Sequence, residues 1–570
     1  MSISPKFISY SLASMLIGYS VSGLALEPGA LTPSRPDYQL PPLPQVLPKT
    51  PPSTLQPPTE TPSLARADDT LKFILKEVIF DQALPETIQE LQPIVAPLLG
   101  KSVSRLDLDT LRLELLQKCK TLGFLYPSVI LPSQQIKQGI VHYQVYEGHL
   151  TQINIEGAER LHEDYLRKRL QPDDGPLERT ELQERFQLLL TDPLIERVNG
   201  ALRPGANPGD AILDLSVKRA KPYELHLGMD NYTPPTVGSY TGHLDGTVRN
   251  LTGWGDFLRL NLNGSGGTKG ISSYFSMPLN AYDTRLNLGF QGSEANVIES
   301  HLKSLDIQNN FMDVNIGVSH PLYHTINRIF SVESQFAYRQ THTLLQNSAF
   351  PAAFGNEDNG KATVSVVRLI QNYLDRDVDR VLSFRSSFNI GIDAFDATTH
   401  SDNKPDSHYF SWLGQLRYVH NLDQRGTQFF FRGDVQLASR NLLPLERFAL
   451  GGVYTIRGYR QNEMVRDEGY ALGFELRYPL ILPNEANGHK LNLVPFYDLG
   501  GAWNLDANGS KVDDVYQTLM GIGMGLQWSW EQFDADFYWA RALSHHPPLS
   551  NIDNDIQDQG IYFRLHARLL

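Results

Sequence analysis

The sequence offers little with which to make or break a covalent bond. His162-Glu163-Asp164 opens like a zinc-protease signature, but the second histidine of HExxH is missing. Gly264-Ser265-Gly266 lacks the spacing of a nucleophile elbow, and no GxxxxGK[ST] run is present to cradle phosphates. His545-His546 precedes Pro547 in an extended stretch where adjacent side chains diverge, so a solvated loop is expected rather than a metal site. The single cysteine, Cys119, excludes an internal disulfide framework and every CxxC-type zinc or redox site. No catalysis, no cofactor and no metal are therefore expected.

The elements that would position any function divide the 570 residues into unlike materials. Lys and Arg number 50 against 63 Asp and Glu, a formal charge of −13, which excludes nucleic-acid binding driven by bulk positive charge. Met1 and Lys6 precede an apolar run, Leu12 to Leu26, that ends in small residues, so residues 1–25 are expected to be a secretory signal. Residues 26–70 are proline-dense and read as a semi-rigid linker. Nothing after the signal reaches the ~18–20 consecutive apolar residues of a spanning helix.

Between Leu71 and Lys221 one pattern occurs twice. The first unit, residues 71–148, has a strand pattern at Phe73–Phe80, helical spacing at Leu108, Leu111 and Leu115, and alternation over Ile140–Tyr146. The second, residues 149–221, opens on Ile153-Asn154-Ile155-Glu156-Gly157, continues with helical stretches and ends in the strand Ala211–Val217. Two small α+β domains in tandem are expected.

Residues 222–570 alternate with a period of two. In Ile522, Met524, Leu526, Trp528 and Trp530 against Gly521, Gly523, Gly525, Gln527 and Ser529, one face is apolar and the other small or polar. Roughly 350 residues at roughly 22 per strand and connection allow about 16 antiparallel strands, each able to supply the ~9–11 residues that cross a bilayer. A transmembrane β-barrel is expected, with outer-membrane lipid as one partner. Tyr274, Phe275, Tyr323, Tyr478, Trp503, Trp528 and Trp530 would form its interfacial girdles, and Asp534 and Asp536 would line its lumen.

Within this barrel stand Arg457-Gly458-Tyr459, in Leu450–Tyr459, and Phe496-Tyr497-Asp498. With the tandem modules and the Ile153–Gly157 opening, the chain resembles the outer-membrane transporters of two-partner secretion, of the hemolysin-activator and filamentous-hemagglutinin transporter type within the Omp85 superfamily. The resemblance spans nearly the whole mature chain. It implies two polypeptide-transport-associated (POTRA) domains before the barrel, and an Arg457 at the tip of a long loop folded into the lumen to meet Asp498. Alternation agrees: Phe496 and Asp498 share a face, and a charge does not face lipid cheaply. Arg457, Gly458, Tyr459, Phe496 and Asp498 are thus expected to form a loop latch.

The resemblance further implies a partner exoprotein, unfolded in transit and β-helical once folded, that passes a periplasmic capture step and crosses the outer membrane of a Gram-negative-type bacterium. Val141, Tyr143 and Val145 in the first module, and Ile212, Leu213 and Leu215 in the second, are expected to dock it along a strand edge. A monomer and no nucleic-acid partner are expected. Two departures stand out: the chain ends on Leu570 rather than an aromatic residue, and the prolines of Glu27–Arg35 argue against a long plug helix. An outer-membrane assembly factor and a solute porin are the alternatives.

Overall fold

A computed structural model describes residues 55–56, 72–171, 179–482, 488–512, 517–544 and 553–570. The signal expected over residues 1–25, most of the proline-rich linker and the His545-His546 pair lie outside them.

The first α+β unit has two helices, Pro85–Val95 and Arg105–Thr121, against a sheet ordered Glu77–Asp81, Ile140–Tyr146, Ser128–Ile130. Ser104 starts the second helix: its hydroxyl accepts from the Asp107 N–H while the Asp107 carboxylate accepts from the Ser104 N–H, a capping box. The i, i+3, i+4 spacing then turns Leu108, Leu111, Leu115 and Cys119 into the core with Val141, Tyr143 and Val145. The buried Tyr143 hydroxyl donates to the Leu108 carbonyl at 2.8 Å, so this large ring brings no unpaired polar group inside.

The second unit repeats the plan with helices Glu163–Leu170 and Arg179–Leu190 against a sheet ordered Ile195–Pro204, Asp210–Arg219, His149–Glu156. A two-residue piece of the linker, Leu55–Gln56, adds to Ile195–Pro204 as a parallel strand, pairing Leu55 with Gly200 and Gln56 with Ala201.

From Tyr223 onward the chain forms a closed barrel of sixteen long strands, each antiparallel to the next, with Ser348–Ala349 as a short extra rung. The first strand, Tyr223–Asp230, closes on the last, Ile561–Arg568, over five register pairs from His226–Arg568 to Asp230–Arg564. Strands on the far side are longer: Ile307–His324 and Arg328–Leu345 have 18 residues each. Leu260, Leu262, Ile316, Ile522, Met524, Phe537 and Trp539 are exposed on the outer face, whereas Arg339, Asp434 and Asp498 are buried inside. Such alternation puts apolar side chains toward lipid, and closure of the ladder pairs backbone groups within the wall. No helix among the described residues is long and apolar enough to cross a membrane.

Candidate functional site: a loop folded into the barrel

Residues 439–467 connect the strands Gln428–Ala438 and Glu468–Ile481 and fold back between the barrel walls. A short antiparallel ribbon, Phe448–Leu450 with Met464–Arg466, forms the upper part, and residues 453–461 form the tip. The Leu450, Ile456 and Tyr459 side chains pack with Ala471, Ala502 and Leu519 of the wall.

Arg457 is 2% exposed at this tip and Asp498 is fully buried. The guanidinium makes a two-pronged contact, Nε to Oδ2 of Asp498 at 2.7 Å and Nη2 to Oδ1 at 2.9 Å, and the Arg457 N–H donates to the same Oδ2 at 3.1 Å. Its remaining nitrogen, Nη1, donates to Oε1 of Glu475 at 2.8 Å. The plane lies over the Phe496 ring, with Cζ 3.5 Å from the centroid, and the Tyr538 ring, edge-on to Phe496, lies beside it at 5.2 Å. Arg432 adds a second positive charge 3.6 Å from Asp498 and donates to the carbonyls of Thr455 and Val453. Arg477 faces Glu475 at 3.1 Å. Planar, bidentate and stacked contacts together suit arginine and no other cation. Removing one partner of so enclosed a pair costs about 3–5 kcal/mol, because the other charge stays buried.

The wall is shaped for this arrangement. Gly473 and Gly521 are the cross-strand neighbours of Asp498 on either side, leaving room above the carboxylate. Gly458, at φ +103°, follows Arg457 where a Cβ would come within 2.9 Å of the Ala542 nitrogen. Its N–H donates to the Tyr562 hydroxyl at 2.9 Å, and that hydroxyl donates to the Tyr459 carbonyl at 2.5 Å. The Tyr459 hydroxyl reaches the Met520 carbonyl at 3.0 Å.

Arg457, Gly458, Tyr459, Phe496 and Asp498 are therefore brought to one place. Glu475, Arg432, Tyr538 and Tyr562 join them without having been singled out from sequence. Glu475 was findable: it shares a face with Gly473 and Arg477 and opposes Leu472, Phe474 and Leu476, so a carboxylate in an alternating membrane strand must look inward. Asp534 and Asp536 face His566 and Arg564 on the last strand, at 3.9 and 2.5 Å.

The expected docking edges are not edges. Val141, Tyr143 and Val145 are fully buried on the middle strand of their sheet. Leu213 and Leu215 are buried, Ile212 is half-buried, and their strand lies between two neighbours. The reason is parallel pairing: Val78 aligns with Val141 and Ile153 with Leu213, so each unit's late strand is drawn into the middle beside an early one. The strand His149–Glu156 borders its sheet instead. A cleft of about 580 Å³ runs between it and the helix Glu163–Leu170, lined by Asn154, Glu156, Glu163 and Arg167.

This second unit is seated on the barrel's turns. The His162 N–H donates to the Gly253 carbonyl at 2.9 Å, the His162 ring stacks on Trp254 at 4.2 Å, and Arg169 meets Asp283 at 2.9 Å. Between the helix Arg179–Leu190 and the barrel mouth lies a cavity of about 1070 Å³ bordered by Glu184, Arg185, Arg249, Arg285 and Arg376.

Comparison with known proteins gives this architecture relatives. Residues 209–528 match the family described as haemolysin secretion/activation protein ShlB/FhaC/HecB. The heme/hemopexin transporter protein HuxB of Haemophilus influenzae strain 86-028NP is 26% identical over 524 residues, covering 87% of each chain. The outer membrane transporter CdiB of Dickeya dadantii strain 3937 is 20% identical over 492 residues, covering 82% of this chain and 83% of that one. Among solved structures, CdiB from Escherichia coli superposes with a TM-score of 0.66 at 18% identity, over 90% of this chain and 94% of the other. BamA from Haemophilus ducreyi lacking POTRA domains 1–3 gives 0.52 at 12% identity, over 87% of this chain and 100% of the other.

Proposed function

This chain belongs to the ShlB/FhaC/HecB family of haemolysin secretion/activation proteins, and from that premise we propose how its parts export a partner. It is an outer-membrane transporter of two-partner secretion, a sixteen-stranded barrel preceded by two POTRA domains, and it moves a secreted partner protein. The partner reaches the periplasmic face unfolded and adds main-chain hydrogen bonds to an open strand of the POTRA domains. The border strand His149–Glu156 and its cleft suit this, because a strand edge reads backbone rather than side chains. The extended chain then enters the mouth beneath the second POTRA domain and passes through the bore. Folding of the partner into a β-helix at the cell surface removes the unfolded form and biases movement outward. One copy of the chain suffices for the path.

The observation that carries the reading is the Arg457–Asp498–Glu475 cluster, which holds the tip of the folded-in loop against the wall of the bore. The cluster latches the loop where transport requires it, and each passage displaces and resets it. The test is surface appearance of the partner in cells carrying Arg457→Ala, Asp498→Ala, or the exchange of the two charges, with barrel assembly checked by heat-modifiable gel mobility. Either single change is expected to lower export roughly tenfold or more, as loss of a buried pair of this kind predicts. Undiminished export from correctly assembled variants of both kinds would remove the latch.

A further inference from the structure

The tip is not the loop's only ionic hold on the barrel. Above it, in the turn Pro444–Glu446, the fully buried Glu446 meets two arginines of the wall: its Oε1 accepts from Arg339 Nη1 at 2.7 Å and from Arg368 Nη2 at 3.2 Å. Arg339, 1% exposed, also donates to the Leu445 carbonyl at 2.6 Å and, through Nε, to Asp313 Oδ2 at 2.8 Å. Asp313, Arg339 and Arg368 stand on the sixth, seventh and eighth barrel strands. Glu475 and Asp498 stand on the twelfth and thirteenth, so the two clusters grip the loop from separate parts of the wall.

A third tie closes the loop's neck. The Asp467 carboxylate, fully buried, accepts from the Leu442 N–H at 2.9 Å, from Arg447 Nε at 3.0 Å and from the Leu505 N–H at 2.8 Å. It thereby joins the loop's entering and leaving limbs. Leu442, Leu443 and Leu445 pack beneath with Phe311, Val364 and Val366. The segment from the neck to the ribbon Phe448–Leu450/Met464–Arg466 is thus fixed by charge, backbone bonds and apolar packing.

Between this stalk and the tip the backbone changes character on both limbs at one level. Gly451 and Gly452 have φ of +108° and +92°, and Asn462, whose N–H donates to the Gly451 carbonyl at 3.3 Å, has φ of +58°. A side chain at Gly451 would come within 2.6 Å of Glu463 Cβ, so only glycine allows the limbs to sit so close.

We propose that Glu446, held by Arg339 and Arg368, is a second positioning anchor that fixes the stalk of the loop, so that release of Arg457 swings only the tip about Gly451-Gly452 and Asn462 while the stalk stays in the bore. The swing rests on the latch reading; the anchor does not. Buried, compensated charges resist displacement because leaving the site strands the partner charges in a low-dielectric interior. Beside Asn462, Arg460 pairs with Glu299 at 2.9 Å and with Asp558 at 2.5 Å, an ionic hold that sits next to the pivot rather than at Arg457.

Distances between nitroxide labels on the full-length transporter in lipid test this, in a Cys119→Ser background that removes the sole native thiol. One label replaces the exposed rim residue Asn347; the second replaces either Tyr454 on the tip or Ala449 on the stalk. With Arg457→Ala, the Tyr454 distance is expected to shift and broaden while the Ala449 distance stays as in the parent. With Glu446→Gln alone, the Ala449 distance is expected to broaden while barrel mobility on gels stays native. Should Glu446→Gln fail to assemble, Arg368→Gln carries the same measurement, since it removes one of the two arginines that hold Glu446 while Arg339 keeps its pairing with Asp313. An Ala449 distance that moves with Arg457→Ala, or that holds still in an assembled anchor variant, overturns the second anchor. A Tyr454 distance indifferent to Arg457→Ala removes the latch and the swing, and leaves the anchor to the Ala449 pair.

Discussion

Arg457 engages all three guanidinium nitrogens and its backbone N–H: two nitrogens and the N–H on Asp498, the third nitrogen on Glu475. The two carboxylates are unequal in consequence. Glu475→Gln keeps an acceptor for Nη1 and leaves the bidentate contact whole, so export is expected to fall severalfold less than with Asp498→Ala in the same surface-exposure assay. Arg457→Lys cannot reproduce the fork or the stacking on Phe496 and is expected to behave like Arg457→Ala. The cluster was half legible in sequence. Asp498 announced itself because alternation leaves a charged residue one permissible side, and Glu475 obeyed the same rule unnoticed within Ala471–Leu480. Tyr562 gave no sign, since its role follows from barrel closure bringing the last strand beside Gly458. The partners of Arg339 were equally silent, being set by where a long loop happens to lie.

At the level of elements, periodicity located strands and helices well and said nothing of their lateral order. Ile140–Tyr146 and Asp210–Arg219 have the alternation of strands with one buried face, yet both sit mid-sheet, because parallel partners far away in sequence leave no local trace. The second POTRA domain's seat is similarly a matter of tertiary contact. Trp254→Ala removes the stack on His162 and is expected to loosen the domain from the barrel, read as faster proteolysis between them at unchanged barrel heat-stability. That domain also carries a pH-sensitive group. Asp192 accepts from the Tyr165 hydroxyl at 2.7 Å, and burial pushes its carboxyl above the ordinary range. An acid with a raised folded pKa contributes most stability below its unfolded value of about 3.9, and that contribution is lost as pH rises through the folded value. Asp192→Asn is expected to flatten this part of the dependence, measured as domain unfolding against pH by hydrogen exchange.

For the whole molecule the decisive property is the two-faced wall. Ile522→Arg, on the apolar side, is expected to cost about 2–4 kcal/mol if it lies near the bilayer midplane, seen as a lower unfolding midpoint in detergent or lipid. The loop that fills the bore should also limit ion flow. Deleting residues 453–461 is expected to raise single-channel conductance in planar bilayers severalfold, with the stalk left in place. The wall's two faces were legible as alternation; the filling of its interior by a connecting segment was expected only from the resemblance, because its tip gains stability from surfaces that no neighbouring residue supplies.

Arg432, Glu299 and Tyr232 precede the tip in the chain, whereas Arg457-Gly458-Tyr459 finds its partners on the strands carrying Glu475, Asp498, Met520, Tyr538 and Tyr562, which are the last five of the sixteen. During biogenesis, residues 453–461 leave the ribosome before any of these contacts exists, and the Tyr562 hydroxyl is delivered almost last of all. Arg457 consequently has no complete berth until the final hairpin has zipped onto the first strand. Seating of Arg457-Gly458-Tyr459 is a late event in maturation, and an unfinished cylinder lacks the berth that holds it.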